Sequence, residues 1–261
     1  MIRTAAVVAA VALTLAGCVA KENASDQRGG GTDFTPSETA PAEESDTGGG
    51  SATAGDCQFT TDQSGQQPAV GLPPDQGPAT ETTLTLTTSA GPIAIKLDAT
   101  KAPCTVQSMV FLASKGYFNN TICHRLTSSE GLKVLQCGDP TADPADPSSG
   151  GAGGPGYVVP DELPTDLAPA QSSGASTDQL VVYPRGVAAM ANAGPNTTGS
   201  QFFLVYGDST LPPNYNVFGT TDETGLATLD QIAAAGITPG QNGAEDGAPT
   251  TPVTITSAVA A

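Results

Sequence analysis

One histidine, His124, serves the whole chain, and tryptophan is absent. The first scarcity removes several kinds of chemistry. Ser-His-Asp and Cys-His plans need a histidine beside their nucleophile, and no G-x-S-x-G elbow is present. His124 has no partners at metal-ligand spacing and no C-x-x-C pair exists, so neither a metal nor a cofactor is expected. Strand alternation puts His124 on the face opposite Arg125, where it reads as a buried structural residue with its hydrogen bonds satisfied. Positive charge is scarce as well: nine Lys and Arg against 26 Asp and Glu leave a formal net charge of −17. That balance argues against nucleic acid or anionic lipid as a partner of the folded part. The "GAGGPG" at 151–156 matches G-x-G-x-x-G literally. No strand precedes it and Pro155 disfavours a following helix, so it reads as a turn-rich loop and not a phosphate cradle.

The only long apolar run stands at the start. Arg3 is followed by "AAVVAAVALTLA" (5–16), which leads into "LAGC" (15–18). The run is too short for a permanent membrane span. Position, apolar core and terminal cysteine together resemble a bacterial lipoprotein signal, which implies a signal peptide over 1–17, cleavage before Cys18 and lipid on its sulfur. The expected location is the extracytoplasmic face of the cell membrane, held by that anchor. Residues 18–55 have one aromatic, Phe34, and almost no aliphatic bulk, so no burial offsets the entropy of ordering them. They read as a disordered acidic tether reaching about 30–40 Å as a coil. The rest divides into an N-terminal extension, 56–80, and one domain over 81–261, long enough to build a real core. Cys57, Cys104, Cys123 and Cys137 are then an even number in an oxidising compartment, which predicts two disulfides and leaves three pairings open.

Periodicity predicts many short strands and two helices. "TTLTLTTSAGPIAIKL" (82–97) alternates about a Ser-Ala-Gly-Pro turn and reads as a hairpin. Pro103 near its start, Val106, Met109, Val110 and Ala113 at helical spacing, and Gly116 at its end predict a helix within 102–118. Strands are expected at 121–126, 132–137, 156–160, 185–191, 200–206, 216–219 and 250–260, with a second helix over 224–236. Residues 160–184 read as an inserted loop segment. The class is mainly β, a closed barrel capped by helices.

The functional signal is a stretch with nothing to transfer a proton or attack a bond, "MANAGPNTTGSQFF" (190–203). Together with "CHRL" (123–126), "VLQCGD" (134–139) and "NVFG" (216–219), in that order, it resembles the cyclophilin-type peptidyl-prolyl isomerases over roughly 80–260. The resemblance implies a closed eight-stranded antiparallel β-barrel with a helix at each open end. It also implies rotation about X–Pro bonds, whose resonance barrier is roughly 18–20 kcal/mol. That reaction needs no acid, base or nucleophile, which suits the uncharged stretch. By motif, Arg125 matches the catalytic arginine and Gln136 the glutamine that orients it. Ala191, Asn192 and Ala193 match the segment whose backbone pairs with the peptide, and Gln201 a substrate-contacting amide. Phe203 matches the floor of the proline pocket, Leu211 its wall, and Gly151 the glycine loop. Four positions depart from the pattern: Val134 stands for a methionine, Lys133 for a phenylalanine, Tyr215 for a histidine and Thr210 for a tryptophan. The expected partners are X-Pro segments of exported proteins, met by a monomer. Arg125, Gln136 and Phe203 together favour an enzyme, whereas Lys133 and the insertion favour a module that holds peptides without turnover.

Overall fold

The structure, a computed structural model, describes residues 57–62, 70–74, 81–170 and 179–261. The expected signal peptide, Cys18 and the tether lie outside the described residues. In chain order the elements are β1 (Thr60–Thr61), β2 (Thr83–Thr88), β3 (Gly91–Leu97), α1 (Pro103–Ser114), β4 (Thr121–Cys123), β5 (Arg125–Thr127) and β6 (Lys133–Cys137). There follow β7 (Tyr157–Val158), β8 (Val181–Tyr183), β9 (Val187–Met190), β10 (Phe202–Gly207), β11 (Ser209–Leu211) and β12 (Val217–Thr221). The chain then forms α2 (Glu223–Ala234), β13 (Ile237–Gly240), β14 (Gly243–Pro249) and β15 (Val253–Ala260).

Alternation builds the first hairpin as expected. Leu84 and Leu86 on β2, and Ile93, Ile95 and Leu97 on β3, are all buried in the core, while Thr85, Ala94 and Lys96 between them are half-buried or exposed. The turn ends at Gly91, whose φ of +136° suits glycine; a Cβ there would meet Thr228 Oγ1 of α2 at 2.9 Å. Helix α1 starts on Pro103, whose missing N–H costs nothing in the first turn. It ends where the sequence signals, because Gly116 turns left-handed at φ +65° just after the last turn and Tyr117 N–H bonds back to Leu112 O. Helix α2 is capped by Asp222, which accepts from Gly225 N–H at 2.7 Å, and it buries Leu226, Leu229 and Ile232. In the core, Phe118, Phe202 and Phe218 meet edge to face at 5.7 and 6.2 Å.

The sheet corrects the expected closed eight-stranded barrel. Eleven strands pair in the linear order β13-β14-β5-β6-β10-β9-β12-β3-β2-β15-β4, and no ladder joins the two ends. The predicted single strand at 121–126 breaks at His124 into β4 and β5. These consecutive strands go to different places: β4 pairs with β15, whereas β5 pairs with β6 and β14. The sheet therefore curls until the chain itself crosses its seam. One antiparallel bridge, Ile122 to Asp139, and the Cys123–Cys137 disulfide span the same seam. The other disulfide, Cys57–Cys104, ties the N-terminal extension to the start of α1. Both expected bonds are thus present, in one of the three possible pairings.

The described residues after Pro160 are fastened to the domain. Glu162 accepts from the N–H groups of Cys104 and Thr105 at 2.8 and 2.9 Å and from Thr105 Oγ1 at 2.7 Å, capping α1 from a distance. Lys101 pairs with Asp166 at 2.6 Å. At the far end, β8 pairs antiparallel with β11.

Candidate active site

Strand register assembles the site. Arg125 on β5 stands opposite Gln136 on β6, Gln136 opposite Phe203 on β10, and Phe203 opposite Ala189 on β9. Directly opposed residues share a face of a sheet, and successive residues alternate between faces. Phe202 therefore lies in the core at 0 % exposure, while Phe203, at 5 %, belongs to a separate apolar cluster on the other face.

That cluster holds Phe203 and Leu211, the residues expected to form the slot for a proline ring. Around Phe203 stand Val134, Val205 and Val217, with Leu211 and Tyr215 partly exposed at its margin. Tyr215 meets the Phe203 ring edge-on at 5.5 Å, and Tyr183 meets both rings at 6.2 Å. Tyr183 and Val181 come from the end of the inserted segment, so that segment builds part of the wall. The sequence reading gave it no such role, although the Val-Val-Tyr run carried a strand signal. Lys133 does not enter the slot; its stem lies across Gly207, where a Cβ would come within 2.6 Å of its Cδ.

A hydrogen-bonded chain runs across the row. Arg125 donates from Nε and Nη2 to the two oxygens of Asp246, both at 2.8 Å, and from Nη1 to Gln136 Oε1 at 3.3 Å. Gln136 Nε2 donates to Gln201 Oε1, and Gln201 Nε2 to the carbonyl of Gly153, both at 3.0 Å. A guanidinium only donates and a carbonyl only accepts, so the two ends fix the orientation of both amides between them. The Asp246 carboxylate raises the guanidinium's affinity for its proton, and the guanidinium holds the Asp246 carboxyl below its ordinary range.

Beside the row lies a cleft of about 450 Å³, lined by Gln136, Gln201, Gly151 and Ala191–Ala193, with Asp62 of the N-terminal extension on its rim. Ala191 N–H bonds to Gln201 O at 2.9 Å and Ala193 N–H to Thr197 Oγ1 at 2.8 Å, while the Asn192 side chain holds Asn214 O at 2.7 Å. Two of the three amides assigned to peptide pairing are thus engaged within the chain.

The glycine wall of the cleft is organised by a residue the sequence reading passed over. Asp139 is fully buried and accepts from Thr141 N–H and Oγ1 at 2.7 and 2.6 Å, and from the N–H groups of Gly151 and Gly153 at 2.6 and 3.1 Å. Burial pushes its carboxyl up, but these bonds together outweigh burial and hold it below the usual range. A side chain at Gly153 would strike Asp139 Oδ1 at 2.1 Å. His124 lies next to this loop, 6 % exposed, with the Gly150 backbone close over its ring. The expectation of a satisfied histidine is corrected: neither ring nitrogen has a hydrogen-bond partner among the described residues. Burial lowers its pKa below the ordinary value; the Asp139 charge opposes this and the Arg125 charge adds to it. The described residues contain no cluster of three or more His, Cys, Asp or Glu able to hold a metal ion. No described helix is long and apolar enough to cross a membrane.

A family model described as cyclophilin type peptidyl-prolyl cis-trans isomerase/CLD matches residues 83–260. The chain is 51 % identical over 177 residues to the probable peptidyl-prolyl cis-trans isomerase B of Mycobacterium tuberculosis, covering 68 % of this chain and 54 % of that protein. Its counterpart in Mycobacterium leprae is 54 % identical over 172 residues, 66 % of this chain and 54 % of the relative. The chain thus spans about half the length of these curated relatives. Among solved structures, a cyclophilin type peptidyl-prolyl cis-trans isomerase from Cryptosporidium parvum covers 70 % of this chain and 98 % of its own at 26 % identity and a TM-score of 0.52. A structure of the same protein in the presence of the dipeptide Ala-Pro covers 68 % and 97 %, again at 26 % identity, with a TM-score of 0.50.

Proposed function

The chain belongs to the cyclophilin-type peptidyl-prolyl cis-trans isomerases, and from that membership we propose that it isomerises X-Pro bonds in exported proteins while lipid on Cys18 holds it at the outer face of the cell membrane. The observation that carries the enzymatic part is the single row Arg125–Gln136–Phe203. It sets a fixed donor and an apolar ring on one face, with one residue between them. As the prolyl bond twists, resonance is lost and the prolyl nitrogen gains a lone pair. A guanidinium aimed at that nitrogen binds the twisted amide better than either planar isomer, and such differential binding is what accelerates the step. Phe203 and its neighbours hold the ring while the cleft takes the flanking peptide. With the Ala191 and Ala193 amides engaged internally, pairing with the peptide falls to the remaining backbone groups of 191–193. No proton moves and no covalent bond forms.

A second reading, a module that holds proline segments without turnover, draws on the wall that the inserted segment adds to the slot through Tyr183 and Val181. Exchange NMR on a short X-Pro peptide separates the two. Arg125→Ala should lower the isomerisation rate by about a hundred- to a thousand-fold while peptide affinity stays within a few-fold. Near wild-type exchange in that variant would favour the holding module. The anchor is tested apart from this: intact mass of the membrane-extracted protein should show acyl groups on an N-terminal Cys18, and Cys18→Ala should release the domain or leave its signal uncleaved. A soluble, unacylated wild type would sink that part, and light scattering checks the proposed monomer.

A further inference from the structure

Arg125 is held along one edge. A guanidinium carries five N–H donors in a rigid plane. Asp246 takes one proton from Nε and one from Nη2, and Gln136 takes one from Nη1. One proton on Nη1 and one on Nη2 remain beyond these three bonds.

The acceptor is itself well placed. Asp246 lies on β14, opposite Thr127 of β5, two residues along from Arg125 and so on the same face. Its Oδ2 also accepts from Asn242 Nδ2 at 3.1 Å, and Ser128 N–H fixes the neighbouring Glu245 carbonyl at 2.9 Å. Behind it the hairpin is closely packed: a Cβ at Gly247 would lie 2.1 Å from Thr238 O. The carboxylate is thus carried by a hairpin whose backbone is fixed on both sides, and its side chain is 19 % exposed.

We propose that Asp246 is a positioning residue for isomerisation, fixing the plane of the Arg125 guanidinium so that its remaining donors meet the twisted amide. Gln136 alone does not do this. One bond at 3.3 Å leaves a planar group free to swing about the contact, whereas two parallel bonds to a carboxylate define a plane. The pair is close to neutral overall, so what Arg125 offers the substrate is directed hydrogen bonding more than net charge. The hairpin β13–β14 thereby becomes part of the catalytic apparatus, though it contains none of the residues assigned to the substrate.

This inference rests on the isomerase reading, and the test separates the two. Asp246→Asn keeps the size of the side chain but loses one of the two parallel acceptors. Its kcat should fall about tenfold or more, in keeping with the cost of a misplaced catalytic group, with peptide Kd within twofold. Asp246→Glu should recover part of the loss. In an Arg125→Ala background Asp246→Asn should have no further effect on rate, because the two act as a unit. The Arg125 Nε–H resonance, assigned through Arg125→Lys, should exchange slowly with solvent in the wild type and rapidly in Asp246→Asn. Unchanged kcat in a folded Asp246→Asn, or a rate loss that persists undiminished in the Arg125→Ala background, would overturn the proposal. If Asp246→Asn fails to fold, the wild-type resonance decides, and exchange as fast as that of an exposed arginine overturns it. A wild type without turnover sinks the isomerase reading and this one with it. Turnover that depends on Arg125 but not on Asp246 sinks this one alone.

Discussion

Replacing Cys123 and Cys137 together by Ser should damage turnover more than stability would suggest, and the second disulfide supplies the control. The Cys123–Cys137 bond closes a sequence separation of 14 residues and Cys57–Cys104 one of 47. Loop-closure entropy makes the shorter worth about 3 kcal/mol and the longer about 4 kcal/mol. By stability alone, Cys57→Ser/Cys104→Ser should be the more harmful pair. Activity should rank them the other way. Cys123 precedes Arg125 by two residues and Cys137 directly follows Gln136, and their bond crosses the seam between β4 and β6, beside the single Ile122–Asp139 bridge. Without it the two strands can shift against each other, and a displacement of about 1 Å at a catalytic group can cost about a hundredfold in rate. Cys123→Ser/Cys137→Ser should therefore lower kcat at least tenfold under conditions where it is fully folded. The Cys57/Cys104 pair, which joins the extension to α1 away from the row, should stay within about twofold. Urea unfolding gives the stabilities, and exchange NMR with a proline peptide gives the rates. If the seam variant loses about 3 kcal/mol and keeps its turnover, or if both pairs lose turnover equally, the link between seam and site is refuted.

Acid should reveal Asp139. Its folded pKa lies below the unfolded value, so the stability it contributes is fully present above about pH 4 and is lost as pH falls through the lower folded value. Asp139→Asn should flatten the dependence of the urea midpoint on pH below about 4; a slope unchanged from wild type would contradict this. Cyclosporin, which by family resemblance relies partly on a tryptophan N–H at position 210, should inhibit weakly, since Thr210 lacks that reach and its own N–H is bonded to Gly131 O at 2.8 Å. Nanomolar inhibition of the purified domain would show otherwise.

Segments that bury one face in a regular rhythm were readable from sequence. The alternation of Leu84 and Leu86 with threonines, and the helical spacing of Val106, Met109 and Ala113, survive in the structure because one side of each element meets the core. Arg125, Gln136 and Phe203 were readable through their motifs, and strand register places them in one row. Asp246 was hidden for a physical reason. "ITPGQNGAEDGAP" (237–249) has two prolines, three glycines and no alternation, and most of it is exposed. It is a hairpin because β5 offers an edge and Arg125 a counter-ion, both more than a hundred residues earlier. The break at His124 was hidden likewise, since "TICHRL" has the composition of one unbroken strand. Tyr183 was missed because the poor folding signal of the segment before it coloured the reading of the Val-Val-Tyr run itself.

The seam also bears on aggregation. A protein that handles extended peptides meets, in each of them, a row of unpaired N–H and C=O groups seeking a strand to join. An open curled sheet has two borders where such a chain could add itself, and with many molecules the result is stacking instead of turnover. Here both borders are short. One is β4, three residues long, tied by Cys123 to Cys137 and bridged at Ile122. The other is β13, four residues long, in which Pro239 has no N–H to give and Gly240 lies at a register shift. A visiting chain thus finds little template for strand addition at either border, and the partly exposed Leu211 and Tyr215 at the margin of the buried Phe203 cluster are the apolar surface left for it to meet.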